Sequence, residues 1–404
     1  MILKIAWRNI WRNKRRSLII IVSIVVGYIS LIFMDSLTAG MIRQMLTNQV
    51  GIYTAHIQIH KKGYLDNPII QNFMPELKNI EKAINRTDGV SSYSPRVLTF
   101  GMIMSASGSA GVTIIGIEPE KEAKVTTIDE YIITGEYISG EQGEIMLSSE
   151  LAEKLELEVG DKIVVMASGM DGTIGTELFR VTGIFRTADK QFDRSHIYIP
   201  IESARKIIEL NRGAMEIAIT IENPDKLDSI SKELSSRMDD SYEVLTYREI
   251  HPLLIAQFDI FNKMMLIFYS LLGIAVMFGV VNTMLMAVME RINEFGILLS
   301  IGMSTRKLFS MVILEGLSLS LIGTAVGVAS GIGLSMLFSH SGINFSIFKE
   351  SLTYFGAGAI IYPVLTSKGI LSALCIVPIT SIIGTLYPGF KAARSEPVEA
   401  LRFV

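Results

Sequence analysis

The stretch Met264–Met289, which reads MMLIFYSLLGIAVMFGVVNTMLMAVM, decides the fold class because it contains no charged side chain over 26 residues. An α-helix needs about 20 apolar residues to cross the hydrocarbon core of a bilayer. Three further uncharged runs meet the same requirement: Ser17–Met34, Gly316–Ser339 and Gly369–Phe390. We therefore predict a membrane protein with four transmembrane helices.

Charge is unevenly distributed along the 404 residues, although the formal net charge is only −3. Residues 36–262 carry 33 acidic and 22 basic side chains, whereas the rest of the chain carries 7 acidic and 15 basic ones. Only 19% of the residues are charged, against about 25% in soluble proteins, which argues against a wholly soluble enzyme. With Cys375 as the single cysteine, an intramolecular disulfide is excluded, so the acidic segment has to fold around an ordinary hydrophobic core.

The basic residues beside the spans predict the orientation, because cytoplasmic loops of membrane proteins are rich in Lys and Arg. Residues 1–16 contain six basic side chains and no acidic one. Both termini are therefore predicted to be cytoplasmic, and the acidic segment extracytoplasmic. Within 1–16, the basic residues recur at helical spacing and the apolar residues lie largely on the opposite side of the helix. This pattern predicts an amphipathic helix on the inner membrane surface with Trp7 and Trp11 at headgroup level.

Strand-like and helix-like patterns both occur between the first two spans, which predicts an α+β domain there. The chain then divides into these segments: a cytoplasmic amphipathic helix (1–16), a span with its stalk (17–50), the extracytoplasmic domain (51–252) with a β-rich insertion (about 128–198), a second stalk and span (253–289), a cytoplasmic loop (290–307), a third span (308–339), an extracytoplasmic loop (340–368), a fourth span (369–390) and a cytoplasmic tail (391–404).

No catalytic or metal site is predicted in the acidic segment. His56 and His60 share one face of a predicted strand, but no cysteine or carboxylate cluster accompanies them, so we interpret both as polar surface residues. The chain also lacks the sequence G-x-x-x-x-G-K-[ST], which cradles nucleotide phosphates, and is therefore not expected to hydrolyse ATP itself.

Polar and small residues near the third span leave two questions open. Glu315 lies at the membrane surface if this span begins at Gly316, or faces a protein partner if the helix enters at Leu308. Glycines at 323, 327 and 331 allow close helix packing, either within the chain or in a dimer. Charged side chains are absent from the four runs, which argues against an ion-coupled transporter.

The segment 290–308, ERINEFGILLSIGMSTRKL, resembles the cytoplasmic segment that is typical of the FtsX/MacB/LolC/LolE permeases, the mechanotransmission class of ABC transporters. The segments 387–394 (YPGFKAAR) and 396–402 (EPVEALR) are similar to the closing motif of that family, and Glu315-Gly316 to the start of its third span. The resemblance covers the topology of the whole chain and implies a MacB-like porter fold for the α+β domain.

In that family, the cytoplasmic segment forms a coupling helix that docks in a groove of a separate ATPase. The resemblance therefore implies a non-catalytic permease subunit in the bacterial inner membrane. It carries the docking role over to Glu290, Arg291, Glu294, Gly296 and Gly302. The apolar positions Phe295, Ile297, Leu298 and Ile301 give the same helix an apolar face.

The resemblance also implies the partners. They are two copies of an ABC ATPase, which would bind ATP and magnesium, and a second permease chain, the same or homologous. Lipoproteins or another periplasmic protein are further candidates. No cofactor is expected in this chain, and no nucleic-acid partner.

Length and topology favour the lipoprotein-releasing LolC/LolE type within the family. Cargo would then contact the outer ends of the first two spans, where apolar and adaptable side chains occur: Phe33, Met34, Leu37, Met41, Phe258, Phe261, Met264 and Met265. Packing between helices, or contact with membrane lipid, would equally account for apolar side chains at these positions. The alternatives are a MacB-type efflux permease for peptides or small molecules, and an FtsX-like permease that activates a cell-wall hydrolase.

Overall fold

A computed structural model of the chain describes residues 2–348, 352 and 356–394, with side chains from Trp7 onward. The chain forms two compact units. The helical unit comprises Met1–Ile42, Gln257–Phe345 and Ile360–Val404, and the sheet unit comprises Arg43–Ala256 and Ser346–Ala359. The segment 396–402, which resembles the closing motif of the family, lies outside the described residues.

The α-helices of the described residues are numbered in chain order: α1 (Ile2–Arg12), α2 (Lys14–Gln49), α3 (Leu77–Asn85), α4 (Pro119–Glu122), α5 (Ser149–Leu155), α6 (Lys190–Asp193), α7 (Ile201–Ile207), α8 (Leu227–Arg237), α9 (Tyr247–Ile250), α10 (Pro252–Glu290), α11 (Ile292–Ser300), α12 (Thr305–Ser341) and α13 (Ser367–Ala393). A π-helical turn, Val50–Thr54, continues α2.

The strands of the described residues are β1 (Ile57–Lys61), β2 (Val90–Met104), β3 (Ser109–Ile117), β4 (Ile132–Gly135), β5 (Glu144–Ser148), β6 (Lys162–Ser168), β7 (Ile174–Phe185), β8 (His196–Pro200), β9 (Glu216–Ile221), β10 (Tyr242–Thr246), β11 (Ile343–Asn344) and β12 (Ile360–Ile361).

Four of the helices, α2, α10, α12 and α13, are long and apolar enough to cross a membrane. Each contains one of the four uncharged runs, so the predicted class of a helical membrane protein with an additional α+β domain is confirmed. The third of them, α12, begins at Thr305, which places Glu315 three turns inside the helix.

The glycines of α12 form a packing face for α2. A Cβ atom at Gly327 would lie 2.7 Å from the Cβ of Tyr28, so only glycine permits this helix approach. The same face continues at Gly323 and Gly331. Three residues of α2 rest on these glycines: Ile24, Tyr28 and Ile32. Of the two packing roles that the sequence left open, the structure assigns the glycines to packing within the chain.

The sheet unit is built on a ten-stranded mixed sheet with the order β10-β1-β9-β2-β3-β8-β5-β7-β4, in which β6 pairs with β2 and β7. Strand β8 runs parallel to β3, and β6 runs antiparallel to β2. The strands predicted as an insertion, about 128–198, therefore extend the same sheet. Helices α3 and α8 pack on one part of the sheet, and α5 and α7 on another.

The close contact between α2 and α12 at Gly327 predicts that a larger side chain at this position lowers the stability of the chain. We expect Gly327→Ala to destabilise the chain by about 1–3 kcal/mol, because overpacking forces the two backbones apart. The matched control is Gly333→Ala in the same helix, where a Cβ would meet no atom within 4 Å. Thermal unfolding of the two variants in detergent, followed by circular dichroism, measures the difference. Equal midpoints would contradict this packing.

Candidate functional site

The segment that resembles a coupling helix forms α11, directly after α10 ends at Glu290. Arg291 occupies the N-cap position of α11. After the helix, Gly302 adopts a φ of +95°, a conformation that favours glycine and lets the chain turn into α12. The glycine that the family resemblance singled out at this position therefore has a conformational role.

The side chain of Arg291 is buried and holds α11 in place. Its Nη1 donates to Glu315 Oε2 at 3.1 Å, and its Nε donates to Glu294 Oε2 at 3.2 Å. The guanidinium also lies over the ring of Phe295, 5.2 Å from its centroid. Glu315 is only 7% exposed. Glu315 therefore faces a partner side chain of the same chain.

Two arginines near the N-terminus complete this network. Arg12 of α1 donates through Nη2 to both carboxylate oxygens of Glu294, at 2.6 and 2.7 Å. Arg16 of α2 forms an ion pair with Glu290. Partial burial favours the neutral form of Glu294, but the hydrogen bonds from Arg12 and Arg291 outweigh it and hold the pKa of Glu294 below its usual value. We name Arg12, Arg16, Glu290, Arg291, Glu294 and Glu315 the arginine network.

The predicted docking residues separate into an inner and an outer group. Phe295 is 1% exposed and Gly296 is also buried, so the side chain of Phe295, predicted as a docking residue, is not at the surface of this chain. Its ring packs in the core of the helical unit. Leu298 is half-buried. The exposed apolar side chains of this segment are Ile297, at 50%, and Ile301, at 76%.

The predicted cargo residues at α2 and α10 do not form one uniform surface. Phe33 packs edge-on against Phe338 of α12, and Phe258 is buried. Met34 and Met264 are exposed. The remaining four are half-buried: Leu37, Met41, Phe261 and Met265. The sulfur of Met265 accepts a hydrogen bond from Thr38 at 3.4 Å, which joins α10 to α2.

Asp35 makes contacts between helices that the sequence did not predict. Its carboxylate accepts hydrogen bonds from the hydroxyl of Tyr269 in α10 and from Thr366 Oγ1, the latter at 2.7 Å. Thr366 in turn accepts from the amide of Gly369 and caps α13. Asp35 therefore links α2, α10 and α13. The only sequence signal was one acidic residue directly after an uncharged run.

In the sheet unit, a fully buried arginine holds the turn that ends α2. Arg96 forms a bidentate pair with Glu122, with nitrogen–oxygen distances of 2.6 and 3.0 Å, and a second ion pair with Glu216. Its Nη1 also donates to the carbonyl oxygen of Tyr53 at 2.7 Å. Tyr53 belongs to the π-helical turn after α2. This arrangement, which we name the Arg96 clamp, fixes the last residues of that helix within the sheet unit.

His60 lies beside this clamp and is completely buried. The interpretation of His60 as a surface residue is wrong, because β1 pairs with β10 on one side and β9 on the other and becomes an interior strand. Its ring stacks on Tyr64. Burial lowers the pKa of His60 to about 4, and the nearby charge of Arg96 acts in the same direction. His56 is partly exposed. Among the described residues, no group of three metal-ligating side chains lies together.

Two family models match the chain. The MacB-like periplasmic core domain matches residues 17–237, more than half of the chain, and the FtsX-like permease C-terminal model matches residues 266–397. Similar individual proteins include the lipoprotein-releasing system transmembrane protein LolC of Xylella fastidiosa, 26% identical over 71% of this chain and 72% of that protein. The ABC transporter permease YknZ of Bacillus subtilis is 24% identical over 99% of this chain and 98% of that protein.

Two solved structures also align with parts of the chain. The extracellular domain of YknZ from Gram-positive bacteria is 17% identical with a TM-score of 0.35, and covers 47% of this chain and 99% of that domain. The periplasmic region of MacB from Actinobacillus actinomycetemcomitans is 13% identical with a TM-score of 0.37, and covers 52% of this chain and 97% of that region.

The arginine network predicts strong coupling between Arg291 and Glu315. We expect Glu315→Gln to destabilise the chain by about 3 kcal/mol, because it leaves a buried guanidinium with one carboxylate fewer. Adding Arg291→Met should recover part of that loss, since both buried charges are then removed. Thermal unfolding of the single and double variants gives the coupling energy.

The matched control for this cycle is the exposed pair of Arg237 and Glu233, for which Arg237→Met should cost under about 1 kcal/mol. Strictly additive effects of Arg291→Met and Glu315→Gln would contradict a buried pair.

Burial of His60 predicts acid sensitivity of the sheet unit. The unfolded chain protonates this histidine near its ordinary pKa of about 6.5, whereas the folded chain does so only near 4. The stability contribution is therefore present above pH 6.5 and is lost as the pH falls toward 4, by at most about 3 kcal/mol. Hydrogen exchange of the β1 and β9 amides in the full chain measures this loss. His60→Gln should flatten the pH dependence, and an unchanged slope would contradict the assignment.

Proposed function

This chain belongs to the family of MacB-like and FtsX-like ABC transporter permeases, and we propose that it transmits motion from a separate ATPase to its sheet unit. The motion would serve to release lipoproteins from the outer leaflet of the inner membrane. The observation that carries the proposal is the arginine network. It ties α11, the candidate docking helix, to α1 and α12 by ion pairs whose central arginine is buried.

Force applied to α11 would move other helices with it. Because separating Arg291 from Glu315 would leave two buried charges unpaired, α11 and α12 are expected to move as one body. Arg12 adds α1 to that body through Glu294. In this proposal, ATP-driven closure of two partner ATPases, which bind the nucleotide and its magnesium, supplies the force at the exposed side chains Ile297 and Ile301.

The far end of α2 would deliver the motion. Residues 50–54 continue this helix and are held by the Arg96 clamp through the carbonyl of Tyr53. A rigid contact of this kind lets a displacement of the helix end pass into the sheet that carries Arg96 and Glu216. The basic residues of 1–16 support placing the α11 end of the helical unit in the cytoplasm, with both termini there.

Lipoprotein is proposed as the cargo for two reasons. LolC of Xylella fastidiosa, named for a lipoprotein-releasing system, aligns over most of this chain. In addition, exposed methionines such as Met34 and Met264 lie on α2 and α10, and methionine adapts to irregular acyl chains. Release from the leaflet, with a second permease chain opposite this one, needs no polar pore.

If the ATPase docks on α11, a charge introduced on the exposed side of this helix should release the ATPase from the complex. We expect Ile297→Asp to reduce ATPase copurification by about tenfold or more, because a carboxylate replaces an apolar contact at the centre of the interface. The matched control is Ile347→Asp, which changes a 93% exposed isoleucine of the sheet unit. Retention of the ATPase by the Ile297 variant, with both variants folded, would contradict docking through α11.

The cargo is tested by photocrosslinking from two exposed methionines of one helix. A photoreactive residue at Met264 should form adducts with proteins that carry radiolabelled palmitate, whereas one at Met286, 63% exposed on the same helix, should not. Adducts with unlipidated peptides alone would replace the lipoprotein proposal by the efflux alternative. Activation of a cell-wall hydrolase without any adduct would favour the signalling alternative.

A further inference from the structure

A groove with a volume of about 550 Å³ lies within the helical unit, between α1 and α12. Its lining residues are mostly apolar: Trp7, Arg8, Leu314, Leu317, Ser318, Leu321 and Ile322. On α12, the lining positions follow helical spacing along one face, and the glycines that pack on α2 lie on another. The groove is therefore on a side of α12 that α2 does not cover.

Among the side chains that line this groove, the guanidinium of Arg8 is the polar group left to bind a ligand. The hydroxyl of Ser318 donates to the carbonyl oxygen of Leu314 within the helix, at 2.7 Å, and is thus satisfied. Arg8 is exposed, and the described part of the chain provides no ion pair or hydrogen bond for it. In contrast, Arg12 and Arg16 are paired with Glu294 and Glu290. A ligand for this groove needs a long apolar part and one anionic group.

We propose that the groove binds one anionic phospholipid, with an acyl chain along Leu317 and Leu321 and the phosphate on Arg8. A guanidinium pairs with phosphate in a bidentate geometry. The ring of Trp7 beside Arg8 suits the boundary between headgroup and hydrocarbon, where indoles are enriched. A peptide segment fits less well, because its backbone amides and carbonyls would find no partners along the leucine wall.

The bound lipid connects this groove to the arginine network. The lipid would contact Trp7 and Arg8 on α1 and the leucines on α12, and so bridge the two helices. Arg12 lies one turn after Arg8 on α1 and holds Glu294 of α11. The site itself does not depend on ATPase docking or on the identity of the cargo.

The chain contains a built-in probe for this site, because Trp7 and Trp11 are its two tryptophans. Trp7 lines the groove and Trp11 does not. Trp11→Phe therefore leaves a single fluorophore, Trp7, in the groove, and removes the second indole that lies against it. The full chain is placed in phosphatidylcholine nanodiscs that contain a minor fraction of dibrominated phosphatidylglycerol or, for comparison, dibrominated phosphatidylcholine. Bromine quenches an indole that it contacts.

We expect the fluorescence of Trp7 to report about fivefold tighter binding of the brominated anionic lipid than of the zwitterionic one. Arg8→Gln should remove this preference, and the exposed Arg15→Gln, which makes the same change in net charge outside the groove, should keep it. Equal quenching by both lipids, or an unchanged preference in the Arg8→Gln variant with normal helix content, would overturn the proposal.

Discussion

The ion pair between Arg291 and Glu315 determines how the helical unit is organised at one end. Two charges removed from water lose several kcal/mol of hydration each, which their mutual attraction repays only while they stay together. Arg291 begins α11 and Glu315 lies within α12, so the pair prevents these helices from separating. Glu294 and Arg12 extend the same constraint to α1. What looks in the sequence like a connecting loop is therefore a fixed part of the helix bundle.

A second buried arginine serves a comparable purpose in the sheet unit. Arg96 carries the only guanidinium that reaches both Glu122 and Glu216 among the described residues, and its Nη1, which donates to Glu216, also donates to the backbone of Tyr53. The planar, permanently charged group can bind two carboxylates and a carbonyl at once, which a lysine ammonium does with less geometric control. Each end of the long helix α2 thus lies next to an arginine-centred cluster: Arg16 at its start and Arg96 after its last turn.

The sequence predicted those features that local composition imposes. The four long helices follow from uncharged runs, because a bilayer accepts few other segments of that length. The candidate docking helix α11 followed from a resemblance, and Gly302 after it has a positive φ where the chain turns into α12. The features that long-range pairing imposes were not predicted. The partner of Arg291 lies 24 residues away, and the burial of His60 depends on β9 and β10, which come much later in the chain. The burial of Phe295 was not predicted because an apolar residue on a short helix has the same pattern whether it faces a partner or the core.

In the proposed mechanism, force on the helical unit reaches the sheet unit along α2, the helix that continues from one unit into the other. The most direct measurement is the distance between spin labels at Ser107, in the turn after β2, and Lys263, on α10, in a Cys375→Ser background with the ATPase partner bound. We expect the distance distribution to shift between the nucleotide-free and the ATP-trapped complex, and Arg96→Met to reduce the shift while ATP hydrolysis continues. Identical distributions in both nucleotide states of an active complex would contradict this mechanism.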